Sequence, residues 1–334
     1  MSTRLLLIGP AFYGLWQGFE SAFRAIGYDA RSHLYDDYSS LCAKVRNKLR
    51  YELPQRLGRD VENAVRGELT RSALDAVATH DPDVVVVIKG DVLGDDLWDE
   101  LDARGRPTLL WLYDALTTMS YDRERLARPG AVVSFSRDDV ATMRGWGIPA
   151  DHCHLGYDSL LDLPVLPARD EIVFAGARYP ARERLLLDLV DHGLPVRAFG
   201  RQWSHHPWDR LRTWDVRRPA VPAGRDLDRA TASARMRAAR ASVNMHGKQD
   251  GFNLRVFEAC GVGGVQLVDR ADVAELYEPD REIAVYQSPE ELVALCERAG
   301  SDHAWARRLR EGGARRTAAE HTLVHRARFL ESRW

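Results

Sequence analysis

A chain of 334 residues with 47 Lys plus Arg against 49 Asp plus Glu has a formal charge of −2, so no global basic field exists to hold a polyanion, and bulk electrostatics do not point to nucleic-acid binding. At 45% hydrophobic and 29% charged residues, with nine Trp and nine Phe, the composition excludes a disordered chain. The length predicts about two domains, each able to bury roughly 70% of its unfolded surface.

Residues 5–8 are an apolar run that stops at Gly9-Pro10, and residues 15–26 then place Phe19, Ala22, Phe23 and Ile26 at helical spacing, which predicts a strand, a loop and a helix. Residues 83–88 repeat the pattern, followed by Lys89-Gly90 and a helical 97–101, and residues 108–113 and 131–135 add two more strands. Apolar strands alternating with helices predict a parallel sheet covered on both faces. Residues 41–78 are charged, mostly helical and interrupted at Pro54 and Gly58; they read as a solvated helical hairpin or as a lid with a basic, acceptor-binding face. Residues 160–170 carry two prolines and no periodicity, the pattern of a linker. Beyond it the rhythm restarts: strands at 172–175, 196–199, 241–245, 264–268 and 283–286, helices over 182–191, 230–239 and 289–298 and near 253 and 273, a loop-rich stretch up to 224, and an Arg-rich helical tail over 304–334. A second doubly wound unit is therefore expected.

The four cysteines, Cys42, Cys153, Cys260 and Cys296, lie far apart with no Cys-x-x-Cys pair, so neither a disulfide framework nor a zinc ribbon is signalled and a reducing cytoplasm is expected. The first apolar run is too short for a signal sequence or a membrane span, so a soluble, unprocessed chain is expected.

The chemically informative window is Asn244-Met-His-Gly-Lys-Gln-Asp-Gly-Phe-Asn-Leu-Arg-Val-Phe-Glu-Ala-Cys-Gly261, a strand end, a glycine-containing loop and the first turns of a helix. A doubly wound sheet places its ligand at such a point. Gly247 and Gly251 permit close approach of a ligand to the backbone, and the free amides over Gly251, Phe252 and Asn253 would face an anion together with the positive end of the helix dipole. Arg255 and Glu258 share a helical face, where Arg255 would hold a phosphate and Glu258 would accept from the two hydroxyls of a ribose. The alternative for this pair is an ordinary intrahelical ion pair. Asp250 would accept from the hydroxyls of a sugar or cap the helix, and His246 would bond a phosphate or sugar oxygen.

This window, followed by Gly264-Val-Gln-Leu-Val-Asp269, Ala274-Glu-Leu-Tyr277, Arg281-Glu-Ile-Ala-Val-Tyr286 and Ser288-Pro-Glu-Glu-Leu292, resembles the C-terminal half of the spore-maturation (CgeB-type) glycosyltransferases. Val173-Phe-Ala-Gly-Ala-Arg-Tyr-Pro-Ala-Arg182 and Phe199-Gly-Arg-Gln-Trp203 are similar to the same family's first two strand ends in that domain, whereas the N-terminal half matches in outline only, at 5–9, 111–114 and 134–136. The resemblance implies an α/β, GT-B architecture: two Rossmann-like doubly wound parallel-sheet domains facing a central cleft, an acceptor domain over 1–158, a linker over 159–170, a donor domain over 171–315, and a tail over 316–334 that packs back on the first domain. It implies a nucleotide-sugar donor, no cofactor and no obligatory metal. Asp250 to Glu258 is similar to the Glu-x7-Glu spacing of retaining members, with Asp in place of the first Glu, and Arg178 and Arg182 match positions that flank the donor diphosphate. Preorganised cations there would stabilise the charge that grows on the leaving phosphate.

Outside that window, Asp114 ends an apolar strand of the first domain and reads as a general base, an acceptor-binding carboxylate or a helix cap. Trp203, His205, His206 and Trp208 read as an exposed loop, with base stacking by Trp203 as the alternative. His321 and His325, four apart without an HExxH pattern, read as a helix surface and not as a metal pair. A nicotinamide-dependent oxidoreductase is disfavoured because Gly9 and Gly14 give G-x4-G and not G-x-G-x-x-G after the first strand. The expected function is thus transfer of a sugar from a nucleoside-diphosphate donor to an acceptor, either a small metabolite, an envelope glycan or a modified nucleobase; a non-catalytic nucleotide-sugar-binding protein of the same fold is the alternative. Homo-oligomerisation is left open.

Overall fold

The computed structural model describes residues 2–11, 14–36, 62–215, 217–247 and 250–334; Cys42 and the 41–61 part of the expected helical insertion lie outside the described residues. The chain divides into two compact units, Met1–His154 with Val324–Trp334, and Leu155–Leu323.

The first unit runs β1 (Arg4–Gly9), α1 (Leu15–Ala25), β2 (Asp29–Leu34), α2 (Glu62–His80), β3 (Val84–Ile88), α3 (Asp95–Arg104), β4 (Thr108–Leu112), α4 (Arg123–Leu126), β5 (Ala131–Ser134), α5 (Arg137–Gly145) and β6 (Ala150–His152). Its described strands form one parallel sheet in the order β2-β1-β3-β4-β5-β6. All five residues of β3 are buried, as a central parallel strand covered on both faces requires. Helix α1 buries Leu15, Phe19, Ala22 and Phe23 on one stripe. Helix α3 has Asp95 and Asp96 in its first turn, Arg104 in its last and a left-handed Gly105 (φ 60°) beyond, charges and cap that suit the helix dipole. Strand β2 has no apolar alternation and is defined by pairing with β1 around the fully buried Ala30. Residues 324–334 return to this unit, where the Tyr28 hydroxyl donates to Glu331 Oε1 at 3.0 Å and Trp334 packs on Phe23.

The second unit runs β7 (Arg169–Ala175), α6 (Pro180–Asp191), β8 (Val196–Phe199), α7 (Pro207–Thr213), β9 (Ala223–Gly224), α8 (Arg229–Ala238), β10 (Ala239–Asn244), α9 (Leu254–Gly261), β11 (Gln266–Val268), a 3-10 turn (Ala271–Glu275), β12 (Ala284–Val285), α10 (Pro289–Ser301) and α11 (His303–Glu320), and α12 (Leu323–Glu331) leads out of it. Its described strands form a second parallel sheet, ordered β12-β11-β10-β7-β8-β9. The core gathers Ile172, Leu186, Leu267, Leu292, Trp305 and Leu309, so α11 belongs to this unit. No helix or strand spans 159–168; Asp158, just before this stretch, forms a buried ion pair with Arg229 at 2.6 Å.

Two expectations are corrected. The stretch up to 224 contains α7 and β9, because Pro207 opens the helix and His206 Nδ1 accepts from the Trp208 amide. His321 and His325 do not share a helix surface: α11 ends at Glu320, and His321 is buried against Phe257 and Tyr277.

Helix α9 is set close to the ring of Tyr157. A Cβ on Gly261 would lie 2.4, 2.5 and 2.9 Å from Tyr157 Cγ, Cδ1 and Cδ2. These atoms sit at the root of the ring and cannot swing aside. Gly261→Ala is therefore expected to lower stability by about 1–3 kcal/mol, read as a shift of the urea unfolding midpoint without a change in slope.

Candidate functional site

In the second sheet the chain winds outward from β7 in one direction and from β10 in the other, so the order reverses between these two adjacent strands. Ligands of open parallel sheets bind outside the carboxyl ends of the strands at such a switch point. Arg182, in the first turn of α6, reaches across it. Its Nη1 donates to Ala177 O after β7 at 3.1 Å, and its Nη2 donates to Met245 O after β10 at 2.7 Å. Its guanidinium carbon lies 4.9 Å from the Tyr179 ring centroid and 5.6 Å from that of Phe174. Arg182 is in no ion pair among the described residues, and its burial pulls the guanidinium below its ordinary pKa. A half-buried cation held by carbonyls and rings alone is an electrostatic vacancy for an anion.

Beside it lies the start of α9. Asn253 is the N-cap residue, but its side chain exchanges two hydrogen bonds with Asn244 at 2.8 and 2.9 Å, which pins the helix start to the end of β10 and leaves the first-turn amides without a side-chain cap. The Tyr286 hydroxyl donates to Asn244 O at 3.0 Å and holds the same corner.

His246 follows one residue beyond Met245. Its amide donates to Asp269 Oδ2 at 2.9 Å and its Nδ1 lies 2.7 Å from Asp269 Oδ1, so the carboxylate sets the tautomer with hydrogen on Nδ1. The side chain is 2% exposed, and Nε2 is buried without a partner among the described residues. A buried ring nitrogen without a partner is a binding position awaiting a ligand group. Phe252 stands edge-on to His246 at 5.8 Å, and the Arg270 guanidinium covers Phe252 at 4.4 Å while pairing with Asp272 and donating to Gly251 O at 3.4 Å. Arg270 thereby clamps the 250–252 loop.

Arg255 Nη1 bonds Glu258 Oε2 at 2.5 Å; the Glu258 side chain is 5% exposed and that of Arg255 36%. The intrahelical ion pair thus exists, and it fixes a buried carboxylate one turn into α9. Asp250 is half-buried on the bend three residues before the N-cap residue Asn253.

Two other expected donor contacts have different surroundings. Trp203 is fully buried in the core, its Nε1 donating to Gly176 O at 2.9 Å and its ring edge-on to Phe174, so it is not available to stack a base. The Arg178 guanidinium bonds Glu183 at 2.8 Å and Asp215 at 2.7 Å and is occupied by these carboxylates. In the first unit, Asp114 caps no helix; it accepts from Lys89 Nζ at 2.6 Å at the end of β4. Sequence reasoning missed Asn244, Asp269, Arg270 and Lys89. Their signal was positional: Asn244 ends β10, Lys89 and Asp269 directly follow β3 and β11, and Arg270 comes one residue later. Among the described residues no group of three or more His, Cys, Asp or Glu is placed to hold a metal.

Two doubly wound units of this order make the GT-B fold, and solved structures of that fold match along the whole chain. Residues 182–332, which include most of α6 and the α9 corner, match the family model described as glycosyl transferase-like. Sucrose-phosphate synthase from Thermosynechococcus elongatus is 15% identical with a TM-score of 0.62, covering 99% of this chain and 98% of its own. HepE from Anabaena, in complex with UDP-glucose, is 12% identical with a TM-score of 0.61, covering 98% and 99%. A glycosyltransferase from Rickettsia africae is 11% identical with a TM-score of 0.63, covering 99% and 98%. No curated protein matches the sequence. No helix among the described residues is long and apolar enough to cross a membrane.

Proposed function

We propose that the chain is a glycosyltransferase that takes a nucleoside-diphosphate sugar at the β7/β10 switch point and passes the sugar to an acceptor held by the first unit. The observation that carries this reading is Arg182, a cation without a carboxylate partner that joins both strand ends beside the uncapped start of α9. The diphosphate sits against Arg182 and the amides of Gly251, Phe252 and Asn253, where the helix dipole adds to the attraction. Glu258, braced by Arg255, accepts from the ribose hydroxyls. His246 Nε2 meets a phosphate or sugar oxygen, and Asp250 accepts from the sugar. Asp114, with Lys89 beside it, serves the acceptor hydroxyl as base or binding carboxylate.

In this account the charge growing on the leaving diphosphate is stabilised by Arg182 and fixed backbone dipoles, so no metal is required. The fold of HepE, whose structure holds UDP-glucose, makes a uridine donor the first to try. The ordered motifs from Asn244 to Leu292 support a kinship with the CgeB-type enzymes, and a cytoplasmic site of action suits the proposed donor. The test is release of nucleoside diphosphate from UDP-glucose, UDP-N-acetylglucosamine and GDP-mannose with EDTA present and a mixed pool of glycan and metabolite acceptors. Release from at least one donor supports the transferase. Tight binding of a donor without release identifies a binding protein, and absence of both removes the reading.

A further inference from the structure

The first unit has a switch point of its own, between β1 and β3, and the carboxyl edge of that sheet carries an aspartate after each of four strands: Asp36 after β2, Asp91 after β3, Asp114 after β4 and Asp139 after β5. All four accept a hydrogen bond within the unit. Asp36 accepts from the Ala11 amide at 2.7 Å, Asp114 from Lys89 Nζ at 2.6 Å, and Asp139 from the Leu116 amide at 2.9 Å. Asp91 differs. It is 7% exposed; its Oδ2 accepts from the Ser120 amide at 3.2 Å, while Oδ1 is buried without a donor among the described residues.

The surroundings of Asp91 are built and not incidental. Lys89 and Gly90 are consecutive left-handed residues (φ 63° and 68°), and a Cβ on Gly90 would lie 2.5 Å from Val87 Cγ1 and 3.0 Å from the Tyr121 hydroxyl. The Gly90 amide donates to the Tyr35 hydroxyl at 3.4 Å, and the Tyr121 hydroxyl donates to Lys89 O at 2.7 Å. Burial raises the Tyr35 hydroxyl above its ordinary pKa, and the charges of Asp36, Asp91 and Asp114 add to that. With Lys89 paired to Asp114, the edge is net acidic among the described residues, and a buried carboxylate oxygen there requires a donor hydrogen.

We propose that Asp91 holds the acceptor through a hydroxyl or ammonium hydrogen, so that the acceptor is an uncharged or cationic polyol, a sugar or amino sugar, and not a phosphorylated one. A carboxylate accepts and cannot donate, so a polyol or ammonium group satisfies Oδ1. A phosphate brought to the same edge would meet like charge. The inference rests on the transferase reading, because that reading makes the first unit the acceptor side.

The test is saturation-transfer NMR on the full chain with UDP present, using glucose, glucosamine and glucose 6-phosphate as probes, with UDP binding to the same sample measured by calorimetry. The expected result is transfer to glucose or glucosamine, at least fivefold weaker transfer to glucose 6-phosphate, and loss of the signal in Asp91→Asn. Whichever of the first two gives the stronger signal tells hydroxyl from ammonium recognition. The wild-type comparison decides the matter even when the variant fails to fold. Equal or stronger transfer to glucose 6-phosphate overturns the proposal, as does no transfer to either uncharged or cationic probe, or a folded Asp91→Asn with unchanged signals. If UDP binds and the probes behave otherwise than expected, this inference alone falls; if UDP does not bind, the donor reading falls with it.

Discussion

Arg182→Ala is expected to weaken nucleoside-diphosphate binding by about 10- to 150-fold, the equivalent of the ~1.5–3 kcal/mol of a hydrogen bond to a charged group. Arg182 is the cation at the switch point that no carboxylate neutralises, and its two bonds to Ala177 O and Met245 O keep it in place. Arg182→Lys keeps the charge but loses the planar fork that reaches both carbonyls, so it should recover part of the affinity and not all of it. Calorimetry with UDP reads the affinity, and a thermal melt reads the fold. A bracing role alone would lower the melting temperature of Arg182→Ala and leave UDP affinity unchanged. Arg178→Ala serves as the contrast: its guanidinium belongs to Glu183 and Asp215, so its loss should touch stability more than binding.

The second large effect is on stability. Trp203→Ala removes a fully buried indole that packs on Phe174 and bonds Gly176 O, so a loss of about 3–5 kcal/mol is expected in chemical denaturation. Trp203→Phe keeps most of the volume and loses the Nε1 bond, at about 1 kcal/mol. It should bind UDP within twofold of wild type. A selective loss of nucleotide affinity in Trp203→Phe, with stability unchanged, would restore the base-stacking role that burial argues against.

Much of the architecture is legible in the chain because its central strands are apolar throughout: residues 84–88 are Val-Val-Val-Val-Ile, and all are buried. Strand β2 is Asp-Ala-Arg-Ser-His-Leu, an edge strand whose existence depends on pairing with β1 and not on its own pattern. Strand β9 is two residues long and β6 three, too short for any period to register. Helix α7 was hidden by two histidines, a proline and two tryptophans that resemble loop chemistry, although Pro207 at its first turn is a helix-start signal.

The site divides along the same line. The window from His246 to Glu258 was legible because glycines, a strand end and a helix start coincide within it. The depth of Trp203 was not, since an indole after Gly200 reads equally as stacking surface or core until the sheet places it. Asp269 and Asp91 act through space: one orients His246 from the next strand, and the other has a partner-free oxygen that only the packing around Tyr35 and Tyr121 reveals. Sequence spacing carries no trace of either contact.

Donor binding in the proposed function requires α9 to receive a ribose and its diphosphate, and the most direct measurement is calorimetry of UDP and 2′-deoxy-UDP on wild type and on Glu258→Ala. If the Glu258 carboxylate accepts from the 2′ hydroxyl, wild type prefers UDP by about tenfold, the ~1–1.5 kcal/mol of one buried hydrogen bond, and Glu258→Ala binds the two alike. Failure of wild type to bind either nucleotide at millimolar concentration, or a preference for UDP that survives in Glu258→Ala, would contradict it.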